Sequence, residues 1–164
     1  MKQTILRRWF GFAAVAVLSL TPVGCNMEAH QKNDTYVSSV KQLVDDSVTY
    51  TRKLRQQDED FDCRDNEKVR GYLLVTDDLI NTLEQIQKLR STDEFDRMDK
   101  PLKDSAKVAL TVISQLKALV VYAQESGNDA LYQREKDGYL SDYYINYDTM
   151  KELSSEIQTY WRNA

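Results

Sequence analysis

PLKDSAKVALTVISQLKALVVYAQESG, residues 101–127, is the stretch that decides the fold of this chain. Leu102, Ala106, Ala109, Ile113, Leu116, Val120 and Ala123 step along it by four and three, the spacing that stacks side chains on one face of an α-helix. Val108, Leu110, Val112, Leu119 and Val121 widen that seam almost around the middle of the helix, which predicts the most buried helix of the molecule. Pro101 reads as the first helical residue, where its missing N–H costs nothing. Gly127 reads as the residue that stops the helix.

The same period extends to both sides. Before this helix, Val69, Tyr72, Thr76, Leu79, Leu83, Ile86 and Leu89 mark a helix over 65–90. Acids at Asp58, Glu59, Asp60, Asp62 and Asp65 precede it and Lys88 and Arg90 close it, which complements the helix dipole at both ends. Val37, Val40, Val44, Val48, Thr51 and Leu54 mark another over 34–57, with Asn33 or Asp34 as its N-cap. A fourth, over 129–162, starts from a cap at Asn128 or Asp129. Its inward positions read as Tyr132, Tyr139, Tyr143, Asn146, Met150, Leu153, Ile157 and Tyr160, with a kink or short break at Asp137-Gly138. Phe95 and Met98, in the connection before Pro101, read as a plug for one end. Gly71 suggests the close approach of a neighbouring helix. With only two prolines and five glycines in 164 residues, the chain is sparsely punctuated. The expected fold class is all-α: an up-down-up-down four-helix bundle over 34–164.

The amino terminus is of a different kind. Lys2, Arg7 and Arg8 precede an apolar run, Phe10–Leu20, that is well short of the roughly 20 residues of a spanning helix. Pro22-Val23-Gly24-Cys25 follows. This ending resembles the lipobox of bacterial lipoproteins, although Pro22 stands where Leu or another aliphatic residue is usual. The resemblance implies cleavage before Cys25 after its thiol has received a diacylglyceryl group. The expected organisation is a signal peptide over 1–24, a lipidated Cys25 with a flexible tether over 25–33, and then the bundle. The run of a helix, an acidic Glu94-Phe95 loop, a Lys100-Pro101-Leu102 restart and a long apolar helix is similar to small helical lipoproteins of unassigned function. That similarity implies a fold and a place on the outer face of the bacterial cell membrane. It carries no functional residue.

Charge and composition bound the function. The full chain carries −4, and Lys2, Arg7 and Arg8 are the only charges before Cys25, so the mature part carries −7. Phosphate binding draws on Lys and Arg, so nucleic acid is not an expected partner. His30 is the only histidine, and Cys63 is the only thiol once Cys25 is acylated. Neither a Ser-His-Asp or Cys-His arrangement nor a zinc site can be built from them, and no catalytic residue, metal or cofactor is assigned. Asp58, Asp60 and Asp62 stand at the first three ligand positions of a calcium loop, but Cys63 and Val69 occupy the Gly and Glu positions, so the stretch reads as a solvated acidic loop. Acidic neighbours predict an unreactive thiol at Cys63.

Six of the ten tyrosines lie between Tyr132 and Tyr160, and most of them read as core and boundary residues with hydroxyls reaching water at the rim. Tyr139, Tyr143, Tyr144 and Tyr147 are the candidate interaction surface, with Tyr144 and Tyr147 as its exposed part, since Tyr is enriched at interfaces. The expected function is a membrane-tethered, non-enzymatic interaction module whose partner is an envelope protein. The alternative is a small-ligand binding or sensory bundle with its pocket between the third and fourth helices.

Overall fold

The computed structural model describes residues 23–164, with side chains from Met27 onward, so residues 1–22 of the expected leader and the Cys25 side chain lie outside the described residues. Four helices follow one another: α1 (Val23–Glu59), α2 (Asn66–Lys88), α3 (Asp96–Ser126) and α4 (Asp129–Asn163), with a 3-10 turn at Asp93–Phe95. Each packs on its neighbours in the chain, and α4 returns to α1, so the four close into an up-down-up-down bundle. The start of α1, the end of α2, the start of α3 and the end of α4 share one pole, called here the amino-terminal pole. The Phe61 loop and the α3–α4 turn form the distal pole.

Local chemistry sets the ends. Asp65 caps α2 by accepting from the Glu67 and Lys68 amides at 2.9 and 3.3 Å, while Glu67 and Lys88 meet the helix dipole at its two ends. Gly127 adopts the left-handed φ of 65°, and the Gly127 and Asn128 amides return to the Gln124 and Ala123 carbonyls. That double return closes α3 where only glycine turns without strain. The Asn128 side chain then accepts from the Leu131 amide at 3.1 Å and opens α4.

The α3 seam is fully buried at all seven expected positions, and Phe95 is buried as the plug of the amino-terminal pole, with Met98 half-buried beside it. The α2 seam is buried as far as Ile86. Five details differ from expectation. The stretch expected as a tether is helical, because α1 begins at Val23, and Asn33 is buried against the α2–α3 connection. Pro101 lies inside α3 rather than at its first position, because Phe95 and the acids at Asp96 and Asp99 start the helix a turn earlier. α3 is not the most buried helix: Val108 stays exposed, and α2 buries 8 of its 23 residues against 9 of 31 in α3.

The fourth and fifth concern α4. It runs through Asp137-Gly138 without a break. Its buried face is Tyr132, Leu140, Tyr143, Tyr147, Met150, Ser154 and Ile157, so Leu140, Tyr147 and Ser154 replace Tyr139, Asn146 and Leu153, and Tyr160, also expected inward, is exposed near the end of the helix. One residue turns a helix by about 100°. The Asn146 amide would need several partners inside; instead it donates back to the Asp142 carbonyl at 2.9 Å and stays at the boundary. Gly71 does sit under a close neighbour: a Cβ there would meet the Gln57 side chain at 2.8 Å.

Around Gly138, by contrast, nothing lies within 4 Å of where a Cβ would stand. Gly138→Ala therefore raises stability by about 0.5–1 kcal/mol, through loss of unfolded-state freedom in a regular helix. Thermal unfolding of the variant checks this, and a lower midpoint would show that α4 does bend there.

Candidate functional site

Tyrosine hydroxyls inside a helical bundle need partners, and their placement decides which tyrosines remain for recognition. Tyr143 is fully buried, its hydroxyl 2.6 Å from Thr51 Oγ1, which also reaches the Ser47 carbonyl. Tyr147 is buried and stacks on Tyr143 with ring centroids 5.9 Å apart. Tyr139 is half-buried against the core. Tyr144 is half-buried, with the Arg55 guanidinium 4.3 Å above its ring. The expected tyrosine surface is therefore corrected. Tyr143 and Tyr147 turn inward because they fall on the α4 seam, and only edges of Tyr139 and Tyr144 meet solvent.

The amino-terminal pole gathers polar side chains from three helices. The Tyr36 hydroxyl donates to Asp99 Oδ1 at 2.8 Å, and Lys103 holds the other oxygen of this buried carboxylate at 2.7 Å. Asn33 donates to Glu94 at 2.6 Å and accepts from Thr92 at 2.5 Å. His30, on α1 rather than in a loose tether, lies with its ring 4.6 Å from Trp161, and Asp34 accepts from the Trp161 indole at 2.6 Å. That indole bond, with His30 beside it, holds the Asp34 carboxyl below its ordinary value. Trp161 in turn packs on Phe95.

At the distal pole, Asp58 is no solvated loop acid. It accepts from the Tyr132 hydroxyl at 2.7 Å and from Lys136 at 3.0 and 3.1 Å, within a largely shielded pair. Phe61, Tyr72 and Tyr132 pack their rings together beneath it. Tyr72 Oη is buried without a hydrogen-bond partner among the described residues. Burial also pushes the Cys63 thiol up, with Asp129 and Asp62 adding to it. Asp62, Cys63 and Asp129 bring their ligand atoms within 4.8 Å of one another, a juxtaposition that the sequence separation hid.

Two outer features remain. A groove of about 1060 Å³ runs between the start of α3 and the end of α4, lined among others by Glu94, Met98, Glu156 and Tyr160. The other is the outer face of α3. Its exposed residues between Val108 and Tyr122 are Val108, Thr111, Ser114, Gln115, Ala118 and Tyr122, none of them charged. Lys117, the one charge in this span, is drawn onto Asp77 of α2. The outer faces of the other helices carry charges throughout, such as Lys41 and Arg52 on α1, Arg70 and Asp78 on α2, and Asp142 and Lys151 on α4. α3 is also the only helix among the described residues that is long and apolar enough to cross a membrane, and 39% of that window is buried in the bundle. The signal for this face was legible in the stretch between Lys107 and Glu125, where Lys117 is the one charge, but it read as core. No family model matches the chain, and neither the curated proteins nor the solved structures contain a match to it.

Two measurements test the polar clusters. Asp99→Ala leaves the buried Tyr36 hydroxyl and Lys103 without their acceptor and lowers stability by about 2–4 kcal/mol in denaturant titration, whereas Tyr36→Phe costs about 1 kcal/mol. Equal losses would show that Asp99 does not hold both. Burial, their leading cause, pushes the phenols of Tyr36, Tyr72, Tyr132 and Tyr143 above their ordinary value. The unfolded chain then releases these protons first, so stability is complete below about pH 10 and falls as the pH rises beyond it. A stability profile flat through that range would contradict the burial of these hydroxyls.

Proposed function

We propose that this chain is a lipid-anchored lipoprotein of the bacterial cell envelope, acting outside the cytoplasm as a non-enzymatic protein-interaction module. The observation that carries the interaction part is the uncharged outer face of α3, beside three helices whose outer faces are charged. Exposed apolar side chains gathered on one face mark interaction sites, and Val108 and Tyr122 are the large ones here. The lipobox-like Pro22-Val23-Gly24-Cys25 supports the anchor. The helical start of α1 supports a bundle held close to its bilayer: the rise from Cys25 to Asn33 is about 12 Å. The groove between α3 and α4 favours a second reading, in which that groove holds a small ligand.

Mass spectrometry of protein extracted from its native cells tests the anchor, with a diacylated Cys25 as the first residue expected. An intact leader, or an unmodified start downstream, overturns it. A photo-crosslinking residue in place of Ala118, in the full chain in cells, tests the interaction. A discrete protein adduct is expected. The absence of any adduct, together with a rise in melting temperature on adding a small molecule, favours the groove instead.

A further inference from the structure

We infer that the distal pole carries a cation site, in which Cys63 Sγ and the Asp62 and Asp129 carboxylates hold a divalent ion of the zinc class. The site goes beyond the interaction reading and does not depend on the anchor. It joins the loop between α1 and α2 to the first turn of α4, where Asp129 stands 66 positions after Cys63.

The three ligand atoms lie within 4.8 Å of one another. A tetrahedral zinc ion, bonded at about 2.3 Å to sulfur and about 2.1 Å to oxygen, spaces such donors by about 3.5 Å. Closure by about 1 Å, within reach of side-chain rotation, therefore completes the set. Cys63 is only 1% exposed, so its sulfur lies beneath the two carboxylates. The bond between Cys63 and Asp129 runs from the Cys63 amide to Asp129 Oδ1 at 3.4 Å, which leaves the sulfur itself without a hydrogen bond of ordinary geometry among the described residues.

Neither carboxylate is consumed elsewhere. Arg64 meets Asp62 twice, by its amide at 3.0 Å and its Nε at 3.1 Å, but both fall on Oδ1, so Oδ2 stays open. Asn128, rather than Asp129, caps α4 through the Leu131 amide. Of the charged groups felt at the sulfur, Asp129 and Asp62 are negative and only the exposed Arg64 is positive. A field that keeps the proton on sulfur also favours a dication in that proton's place. On binding, Cys63 gives its proton to water and the sulfur ligates as thiolate.

The donor set selects the ion. Zinc accepts sulfur and oxygen together, whereas calcium and magnesium take oxygen alone. The Asp62 side chain is 41% exposed, so an ion enters from solvent and a water completes its tetrahedron.

Metal titration of the full chain carrying Cys25→Ser, in which Cys63 is the only thiol, tests this. Cobalt(II) is expected to give a sulfur-to-metal charge-transfer band that saturates at one ion per chain and is displaced by zinc. Zinc raises the melting temperature, and calcium at the same concentration does not. Cys63→Ser abolishes the band. Asp62→Asn and Asp129→Asn each weaken zinc binding by about tenfold or more, whereas Asp60→Asn, at an exposed acid of the same loop, leaves it unchanged. Both asparagine variants replace half-buried side chains by others of the same shape, so they report on the site even if Cys63→Ser fails to fold. Absence of the band, an equal melting shift with calcium, or zinc affinity unchanged in either asparagine variant overturns the site. Equal losses in Asp60→Asn and Asp129→Asn also overturn it, in favour of diffuse attraction to an acidic pole.

Discussion

Everything in this bundle leans on one buried seam, the run of α3 from Leu102 to Ala123 that is closed off from solvent between α2 and α4. Three of its seven positions are alanine, and small side chains let the neighbouring helices come close. The bulk that fills the interior is supplied from the other helices, by Tyr72 and Leu79 of α2 and by Tyr132, Tyr143 and Met150 of α4. Close-packed interiors tolerate neither voids nor overfilling, so the small seam and the large tyrosines require each other. Neither would pack on a helix with ordinary leucine at every seam position.

That exchange of size brings hydroxyls inside, and their partners fix which helix faces which. Tyr36 reaches from α1 to Asp99 of α3, Tyr143 from α4 to Thr51 of α1, and Tyr132 from α4 to Asp58 of α1. An apolar contact tolerates sliding by a turn, whereas a buried hydroxyl that misses its acceptor loses the full cost of leaving water. These bonds therefore set the register of α1, which is the longest helix and has the weakest apolar periodicity. Tyr72, whose hydroxyl finds no partner among the described residues, is the exception, and it lies among the stacked rings of the distal pole.

The amino-terminal pole joins the bundle to whatever precedes it. Asn33, Asp34 and His30 are tied to the α2–α3 connection and to Trp161, so α1 is held to the body of the protein from His30 onward. On the proposed lipid anchor, the orientation of the α3 face would then be coupled to the membrane through helix rather than through loose chain.

The sequence by itself determined the number of helices, their order, the α2 and α3 seams, the glycine stop at Gly127 and a start of α4 at Asn128 or Asp129. These rest on local spacing and on φ, which neighbours in the chain decide. Tertiary structure alone decided the rest. The α4 register depended on whether Tyr147 or Asn146 faced inward: the Tyr147 ring stacks on Tyr143 inside, while the Asn146 amide finds its partner in the Asp142 carbonyl at the boundary. The candidate tyrosines Tyr143 and Tyr147 went to the core, Tyr143 with its hydroxyl on Thr51 and Tyr147 stacked against the Tyr143 ring. Asn26–Asn33 carries no apolar period, yet it is helical because its side chains meet Glu94, Thr92 and Trp161, distant in sequence. The outer face of α3 was written in the chain as residues without charge, Lys117 apart, but periodicity cannot distinguish a face covered by a neighbour from one left open. Only the positions of the other three helices could.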